Sequence, residues 1–137
     1  METSGYSFED LEVYKAARDY RKKIYQLVRR IPGEERYGLQ AQMRRAALSL
    51  TNNIAEGHGR FHYQENIHFL RVSRGSLEEL IDDLNACLDE QYAPEEELEV
   101  LKDDAYKLLK RINGYSAYLR KRKDSESNSP VVHPKAS

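Results

Sequence analysis

The feature of the sequence that most limits its fold is an apolar repeat in the C-terminal third. Its members follow one another at alternating gaps of three and four residues: Leu98, Leu101, Ala105, Leu108, Ile112, Tyr115 and Leu119. This spacing places every apolar side chain on one face of an α-helix, and it fits neither the alternation of a strand nor an irregular loop. Segment 95–122 is therefore predicted to be one long amphipathic helix.

Three earlier segments carry the same helical period. They span about residues 8–31, 35–57 and 63–91. The breaks between the four segments contain Pro32-Gly33, Gly57 with Gly59, and Pro94. Gly57 is predicted to form a left-handed cap at the end of the second helix. Because short connections make successive helices antiparallel, the pattern predicts an all-α, up-down-up-down antiparallel four-helix bundle.

Size and composition fit a single soluble domain. A chain of 137 residues is one domain's length, and the bundle is assigned residues 1–123. The polar, Ser- and Pro-bearing residues 124–137 are predicted to form a disordered C-terminal tail. No apolar run approaches the roughly 18 residues of a membrane span, and the N-terminus does not resemble a signal peptide, so a cytoplasmic location is expected. The lone Cys87 excludes an internal disulfide framework and is predicted to be a packing thiol.

Charge is distributed unevenly although the net charge is only −1. Segment 8–33 has seven basic and four acidic residues, net +3, whereas segment 63–92 has two basic and seven acidic residues, net −5. The first helix carries a basic stripe at helical spacing: Lys15, Arg18, Lys22 and Arg29. The stripe is either a phosphate-binding surface or an ordinary solvated face. The acidic third helix is either solvated or meets the basic stripe of a neighbouring subunit.

A second basic group is expected at one end of the bundle. The up-down topology brings the end of the fourth helix close to the turn between the second and third helices. Residues 120–123, including Arg120 and Lys121, are therefore predicted to cluster with Arg60, His58 and His62.

Two helices carry apolar residues outside their main seam. On the third helix, Phe69, Val72 and Ser76 are predicted to point away from the seam, with Leu80 and Cys87 on its flank. Leu48 and Ala55 are predicted to lie on the outer face of the second helix. Such surfaces are typical of contacts with a partner or a second copy. The mid-helix Gly75 is expected to allow a close helix–helix approach.

The second helix also carries a polar seam beside its apolar one. Its members lie three and four residues apart: Gln42, Arg45, Ser49, Asn53 and Glu56. Polar groups at a helix contact lower stability unless they are paired. The seam is therefore predicted to form hydrogen bonds to a neighbouring helix, inside the bundle or across subunits.

No catalytic arrangement is evident, and no cofactor is expected. The chain contains neither a Gly-rich phosphate loop nor a nucleophile elbow. Glu65 and His68 form one Glu-x-x-His pair, whereas a di-iron bundle needs two such pairs and two further glutamates. A metal enzyme using these two residues with His58 and His62 is the minor alternative to a protein with no metal site. The tyrosines of the first helix, Tyr14, Tyr20 and Tyr25, are expected to pack at the edge of its seam rather than to stack on bases.

Four stretches together resemble a known bacterial family. They are residues 42–57 (QMRRAALSLTNNIAEG), Phe8-Glu9-Asp10-Leu11 with Val13-Tyr14-Lys15-Ala16, Ile31-Pro32 with Glu35 and Tyr37-Gly38-Leu39, and Phe69-Leu70 with residues 74–80 (RGSLEEL). The combination is similar to the four-helix-bundle proteins first noted in intervening sequences of 23S rRNA genes. The resemblance covers about residues 8–120.

The resemblance also implies a function. The family is similar to the accessory variability proteins of diversity-generating retroelements, which form homopentamers and bind nucleic acid and a reverse transcriptase through a basic surface. It implies a non-enzymatic homo-oligomer that binds RNA or DNA and a protein partner, as an accessory factor of a retroelement reverse transcriptase. The net charge of −1 predicts that the affinity is modest and salt-sensitive. The expected contacts are Lys15, Arg18, Lys22, Arg29, Arg44, Arg45, Arg120 and Lys121. The expected subunit contacts are Leu48, Ala55, Phe69, Val72 and Ser76. The alternative is a self-associating scaffold encoded in an rRNA intervening sequence, with no nucleic-acid role.

Overall fold

A computed structural model describes residues 7–126 and contains four α-helices. They are α1 (Glu12–Val28), α2 (Leu39–His58), α3 (Tyr63–Asp89) and α4 (Glu95–Glu126). Two short 3-10 turns precede α1 and α2, at Phe8–Asp10 and Gly33–Glu35. Each helix packs against the next, and α4 packs back against α1, whereas the diagonal pairs α1–α3 and α2–α4 have no Cα atoms within 8 Å of each other in the described part of the chain. The predicted all-α four-helix bundle is confirmed.

The apolar repeat that predicts α4 forms its buried face. All seven of its residues are buried, from Leu98 to Leu119. They complete one continuous core with the apolar seams of the other helices, where Leu27, Leu50 and Leu84 are fully buried. The spacing of three and four residues thus predicts the inward face of the longest helix.

The helix ends follow local signals, with one difference at the C-terminus. Ser7 caps the turn before α1, because its hydroxyl accepts a hydrogen bond from the backbone of Glu9 at 3.0 Å. Three glutamates follow Pro94 in the first turn of α4, where negative charge stabilises the helix. α4 continues to Glu126, three residues into the segment assigned to the disordered tail. Residues 127–137, the rest of that predicted tail, lie outside the described residues.

The role predicted for Gly57 is wrong, and Gly75 makes no close helix contact within this chain. Gly57 lies inside α2, and no described glycine has a positive φ, so it is not a left-handed cap. A Cβ at this position would lie 2.7 Å from Asn66 Oδ1 and 3.0 Å from Phe69 Cβ. Gly57 therefore permits the close approach of α2 and α3. Gly75 was expected to allow such an approach, but a Cβ there would meet no other atom within 4 Å.

The second apolar face predicted for α3 is largely interior. Ser76 is buried instead of pointing away from the bundle, and Leu80 and Cys87, expected on the flank of the seam, are buried as well. The reason is the close contact between α2 and α3, where Ser76 Oγ donates to Ser49 Oγ. Val72 remains 41% exposed and Leu48 42% exposed. Ala55 and Phe69, the other residues expected on outer faces, are half-buried.

Candidate functional site

A groove of about 390 Å³ lies between α1 and α2. We call it the α1/α2 groove, and it is lined by Arg21, Lys22, Tyr25, Gln26, Arg29 and Leu48. Three of these side chains are cationic and none is acidic. The groove therefore combines positive charge with an aromatic ring, an amide and an apolar side chain.

The groove is built by helix geometry. Its α1 residues lie within two and a half turns, so they share one side of the helix beside the buried stripe of Ile24 and Leu27. Arg21 is held against α2, because its Nη1 donates a hydrogen bond to Thr51 Oγ1 at 2.8 Å. Tyr25 packs against the core while it lines the groove.

The predicted basic stripe on α1 is exposed along its whole length. Lys15, at its N-terminal end, forms an ion pair with Glu12 at 3.4 Å. Arg18, Lys22 and Arg29 form no ion pair with any side chain in residues 7–126. The structure brings Lys22 and Arg29 together in the α1/α2 groove, and Arg18 lies one turn from Lys22 toward the start of α1.

Sequence reasoning missed three groove residues, Arg21, Tyr25 and Gln26. Arg21 precedes the predicted Lys22 and was left out of the stripe, although its position on α1 puts it between Lys22 and α2. Tyr25 was assigned to packing alone. Their period on α1 was the available signal, because residues 18, 21, 22, 25 and 29 follow one side of a helix.

The arginine pair of α2 divides between two faces. Arg44 lies one turn before Leu48, which places it beside the Arg29 end of the α1/α2 groove in an antiparallel helix pair. Arg45 acts on the carboxyl of Asp83, so it faces α3 instead. Only Arg44 is therefore positioned to extend the α1/α2 groove.

A second groove, of about 320 Å³, lies on the other side of α1. We call it the α1/α4 groove, and it is lined by Lys23, Gln26, Arg30, Glu97, Val100, Leu101 and Asp104. Lys23 Nζ lies 3.0 Å from Asp104 Oδ2, and Arg30 forms an ion pair with Glu97. The cations of this groove are therefore neutralised by α4.

The α2/α3 contact contains the polar seam predicted for α2. Gln42 Nε2 donates to Asp83 Oδ1 at 2.9 Å, and Ser76 Oγ donates to Ser49 Oγ at 2.8 Å. Asn53 instead donates to Ser49 within α2. Two of the five predicted seam residues, Gln42 and Ser49, therefore bond to the neighbouring helix α3, whereas Asn53 bonds within α2 and Glu56 bonds to Arg60 just after it.

Asp83 is a buried carboxyl within this seam. It is 3% exposed, and its Oδ2 has no hydrogen-bond partner. Burial, followed by the charges of Asp82 and Glu79, raises the pKa of Asp83 to about 6, against the smaller lowering by Gln42 and Arg45. Burial and the charge of Asp83 also raise the pKa of the Cys87 thiol to about 11, so this cysteine is a protonated packing group at neutral pH.

The end of α4 lies at the expected end of the bundle, but its observed contacts are with the start of α3 and do not establish the predicted cluster with Arg60, His58 and His62. Lys123 Nζ donates to Gln64 Oε1 at 2.8 Å. Arg122 bonds to Glu126, whose carboxylate also accepts from Tyr63 at 2.7 Å. The exposed Arg120 and Lys121 belong to this end of α4, not to the α1/α2 groove. The eight predicted contacts therefore do not form one continuous surface.

The residues of the alternative metal site do not come together. Within residues 7–126, no three His, Cys, Asp or Glu side chains are close enough to hold a metal ion. His58 is buried, whereas His62, Glu65 and His68 are exposed.

Among the described helices, none is both long and apolar enough to span a membrane.

Comparisons with known proteins agree with the fold. A crystal structure from Bacteroides thetaiotaomicron, of a protein with unknown function from the S23 ribosomal protein family, is similar with a TM-score of 0.70 and 18% sequence identity. The similarity covers 76% of this chain and 97% of that one. No curated protein matches the chain. The model of the 23S rRNA-intervening sequence proteins matches residues 9–114, which is most of the bundle. The chain therefore belongs to the 23S rRNA-intervening sequence protein family.

Proposed function

We propose that this bundle is a non-enzymatic protein that binds nucleic acid through the α1/α2 groove. The observation that carries the proposal is the concentration, in one groove, of cations that form no ion pair within residues 7–126. Arg21, Lys22 and Arg29 line it without an acidic neighbour, and Arg18 and Arg44 extend it at either end. Regularly placed cations of this kind suit a chain of phosphates.

The distribution of acidic residues supports the α1/α2 groove as the binding surface, because the acids lie elsewhere in the molecule. The acidic helix α3 lies diagonally opposite α1 in the bundle, and none of its residues lines the groove. The total charge of −1 still limits the affinity, because long-range attraction depends on the whole molecule. We therefore expect binding that is modest and falls as salt is added.

The proposal extends to partners. The protein acts as a homo-oligomer, a pentamer by its resemblance to retroelement accessory proteins, and serves a reverse transcriptase. The exposed Val72 supports self-association, because it is a large apolar side chain left open by the bundle, whereas the equally exposed Leu48 lines the α1/α2 groove. Light scattering of the purified protein tests this part, and a clean monomer would contradict it.

The nucleic-acid proposal is tested with a labelled RNA hairpin that carries a single-stranded overhang, so both forms are offered. Anisotropy is measured from low to physiological salt. The double variant Lys22→Glu with Arg29→Glu is expected to weaken binding at least tenfold, because it replaces two positive groove charges with negative ones. The matched control is Lys110→Glu with Arg111→Glu, which makes the same charge change at two exposed positions of α4.

The comparison between the two variants decides the proposal. Loss of binding in the groove variant alone supports it, provided that thermal melting shows both variants folded. Equal loss in both would mean that only net charge matters, and binding that ignores salt would exclude phosphate contacts. A folded wild-type protein that binds no RNA would favour the scaffold alternative.

A further inference from the structure

The uncharged residues of the α1/α2 groove are only partly explained by phosphate binding. Tyr25, Gln26 and Leu48 lie among the three cations. The hydroxyl of Tyr25 and the amide of Gln26 can donate to phosphates, but phosphate binding needs neither the face of an aromatic ring nor an exposed leucine. The mixture of cations with an aromatic ring instead resembles a site that holds both the phosphates and the bases of a strand.

Tyr25 differs from the other tyrosines of α1. Tyr14 and Tyr20 are buried, and Tyr20 donates its hydroxyl to the backbone of Leu101. Tyr25 is half-buried, packs against the core and lines the groove beside Leu48, which is 42% exposed. A ring held in this way loses little conformational freedom when a base stacks on it. Arg21 is likewise held before binding by its bond to Thr51.

The groove dimensions favour an unpaired strand over a duplex. Its volume of about 390 Å³ lies within the range of small-molecule pockets, which suits one nucleotide unit rather than the width of a double helix. In a duplex the base faces are already stacked, so a base reaches a side chain only after an unfavourable unstacking step. A duplex would therefore contact the cations at the rim and leave Tyr25 unused.

We infer that the α1/α2 groove holds a single-stranded segment, with one base stacked on Tyr25 and the flanking phosphates bound by Arg21, Lys22 and Arg29. This inference rests on the proposed nucleic-acid function and adds the form of the ligand. The amide of Gln26, also in the lining, offers a donor and an acceptor for a base edge.

The test compares one RNA in two forms. The probe is a labelled 12-nucleotide adenine-rich RNA, used alone and annealed to its complement. The wild-type protein is expected to bind the single strand at least fivefold more tightly than the duplex. Tyr25→Leu is expected to remove most of this preference, with a five- to tenfold loss for the single strand. The slope of affinity against salt should not change, because no phosphate contact is removed.

Two further variants control for other effects. Tyr25→Phe keeps the ring and is expected to bind RNA like the wild type. Weaker binding by this variant would mean that the hydroxyl of Tyr25, and not its ring, contacts the RNA. Tyr106→Leu replaces a tyrosine on α4 that is 51% exposed, and it should leave binding unchanged. A 5-bromouridine placed in the strand gives a measurement independent of folding, because mass spectrometry of the photo-crosslinked wild-type protein identifies the residue at the base. A crosslink at Tyr25 supports the inference, and crosslinks only at other residues overturn it.

The outcomes separate this inference from the proposed function. Equal affinity for both forms, or an unaltered single-strand affinity in folded Tyr25→Leu, would overturn the single-strand inference. If Lys22→Glu with Arg29→Glu still abolishes binding in that case, the nucleic-acid function stands without it. Absence of binding to either form by the wild type would overturn both.

Discussion

The two grooves beside α1 contain the same kinds of basic residue in opposite electrostatic states. Lys22 and Arg29 face the α1/α2 groove and form no ion pair within the described chain, whereas their sequence neighbours Lys23 and Arg30 face the α1/α4 groove and are paired with Asp104 and Glu97. Adjacent residues point about 100° apart on a helix, so each Lys-Lys or Arg-Arg pair supplies one cation to each groove.

The partner helix, not α1, sets this difference. α2 has no acidic residue between positions 39 and 55, so nothing on it can neutralise the cations that it faces. α4 presents Glu97 and Asp104 seven residues apart, in register with Lys23 and Arg30. A count of basic residues on α1 therefore overstates its binding surface, because Lys23 and Arg30 are already in ion pairs with α4.

The largest effect that we predict concerns the other face of α2, which packs against α3. There Asp83 is a buried acid that forms no ion pair within the described residues. Asp83→Asn keeps the hydrogen bond from Gln42 and removes the charge, so it should stabilise the fold by about 2 kcal/mol at pH 8, in line with the raised pKa of Asp83. The gain should shrink as the pH falls through about 6 and vanish toward the ordinary aspartate value of 3.8, because the wild-type carboxyl is then neutral.

Urea unfolding at several pH values measures this effect. Asp82→Asn is the matched control, because Asp82 is the exposed neighbour of Asp83, and we expect it to change the free energy of unfolding by less than ~0.5 kcal/mol. A destabilised Asp83→Asn protein at pH 8 would mean that Arg45 compensates the buried charge fully.

The second prediction concerns a variant in which the acids of the α1/α4 groove are removed, so that its cations are unpaired like those of the α1/α2 groove. Glu97→Gln with Asp104→Asn releases Arg30 and Lys23, so affinity for the RNA hairpin should rise about tenfold at low salt. The lost surface ion pairs should each lower the free energy of unfolding by no more than ~1 kcal/mol.

The control for this gain is Glu96→Gln with Glu99→Gln. These two exposed residues of α4 give the same change of net charge away from the paired cations. A similar gain in both variants would show that the total charge, and not the groove, controls affinity.

The fold was largely predictable because helical periodicity and core formation impose the same constraint. The seam of α4 required a hydrophobic partner along its whole length, and every one of its predicted residues is buried. The role of Gly57 was not predictable, because it depends on how closely Asn66 and Phe69 of another helix approach. The interior placement of Ser76 likewise depends on another helix, because its hydroxyl bonds to Ser49 of α2.

The candidate site was predictable only in part. Lys22 and Arg29 stand out by their spacing, and the structure places both in the α1/α2 groove. Their spacing could not separate them from the paired Lys23 and Arg30, since that distinction depends on which helix lies opposite. The exposure of Tyr25 was not predictable for a related reason. A residue at the edge of a seam is buried or exposed depending on the side chains of the neighbouring helix, and here that helix contributes Leu48.

The third prediction concerns the contact beneath the α1/α4 groove. Tyr20 is 3% exposed, and its hydroxyl donates to the backbone oxygen of Leu101 at 3.0 Å. Burial, then the charge of Asp104, raises the pKa of Tyr20 well above its usual value, so the hydroxyl remains a donor at all ordinary pH values. Tyr20→Phe should therefore lower the free energy of unfolding by about 1 kcal/mol.

Thermal and urea unfolding measure this loss, and RNA affinity should stay unchanged because the other groove binds the strand. Tyr106→Phe, which removes a hydroxyl from an exposed ring, is the control and should have almost no effect on stability. Weaker RNA binding in Tyr20→Phe would show that the two sides of α1 are not independent.

The smallest predicted effect tests how the α1/α2 groove is held in place. Thr51→Val removes the oxygen that accepts the hydrogen bond from Arg21 at 2.8 Å, but it leaves every groove charge present. Arg21 must then lose more side-chain freedom on binding, so the affinity for single-stranded RNA should fall about two- to threefold. The salt dependence should stay the same, in contrast to Arg21→Gln, where a lost phosphate contact lowers the slope by about 0.7. Unchanged affinity in Thr51→Val would mean that Arg21 acts as a mobile charge, and the difference between the two grooves would then lie in their acids alone.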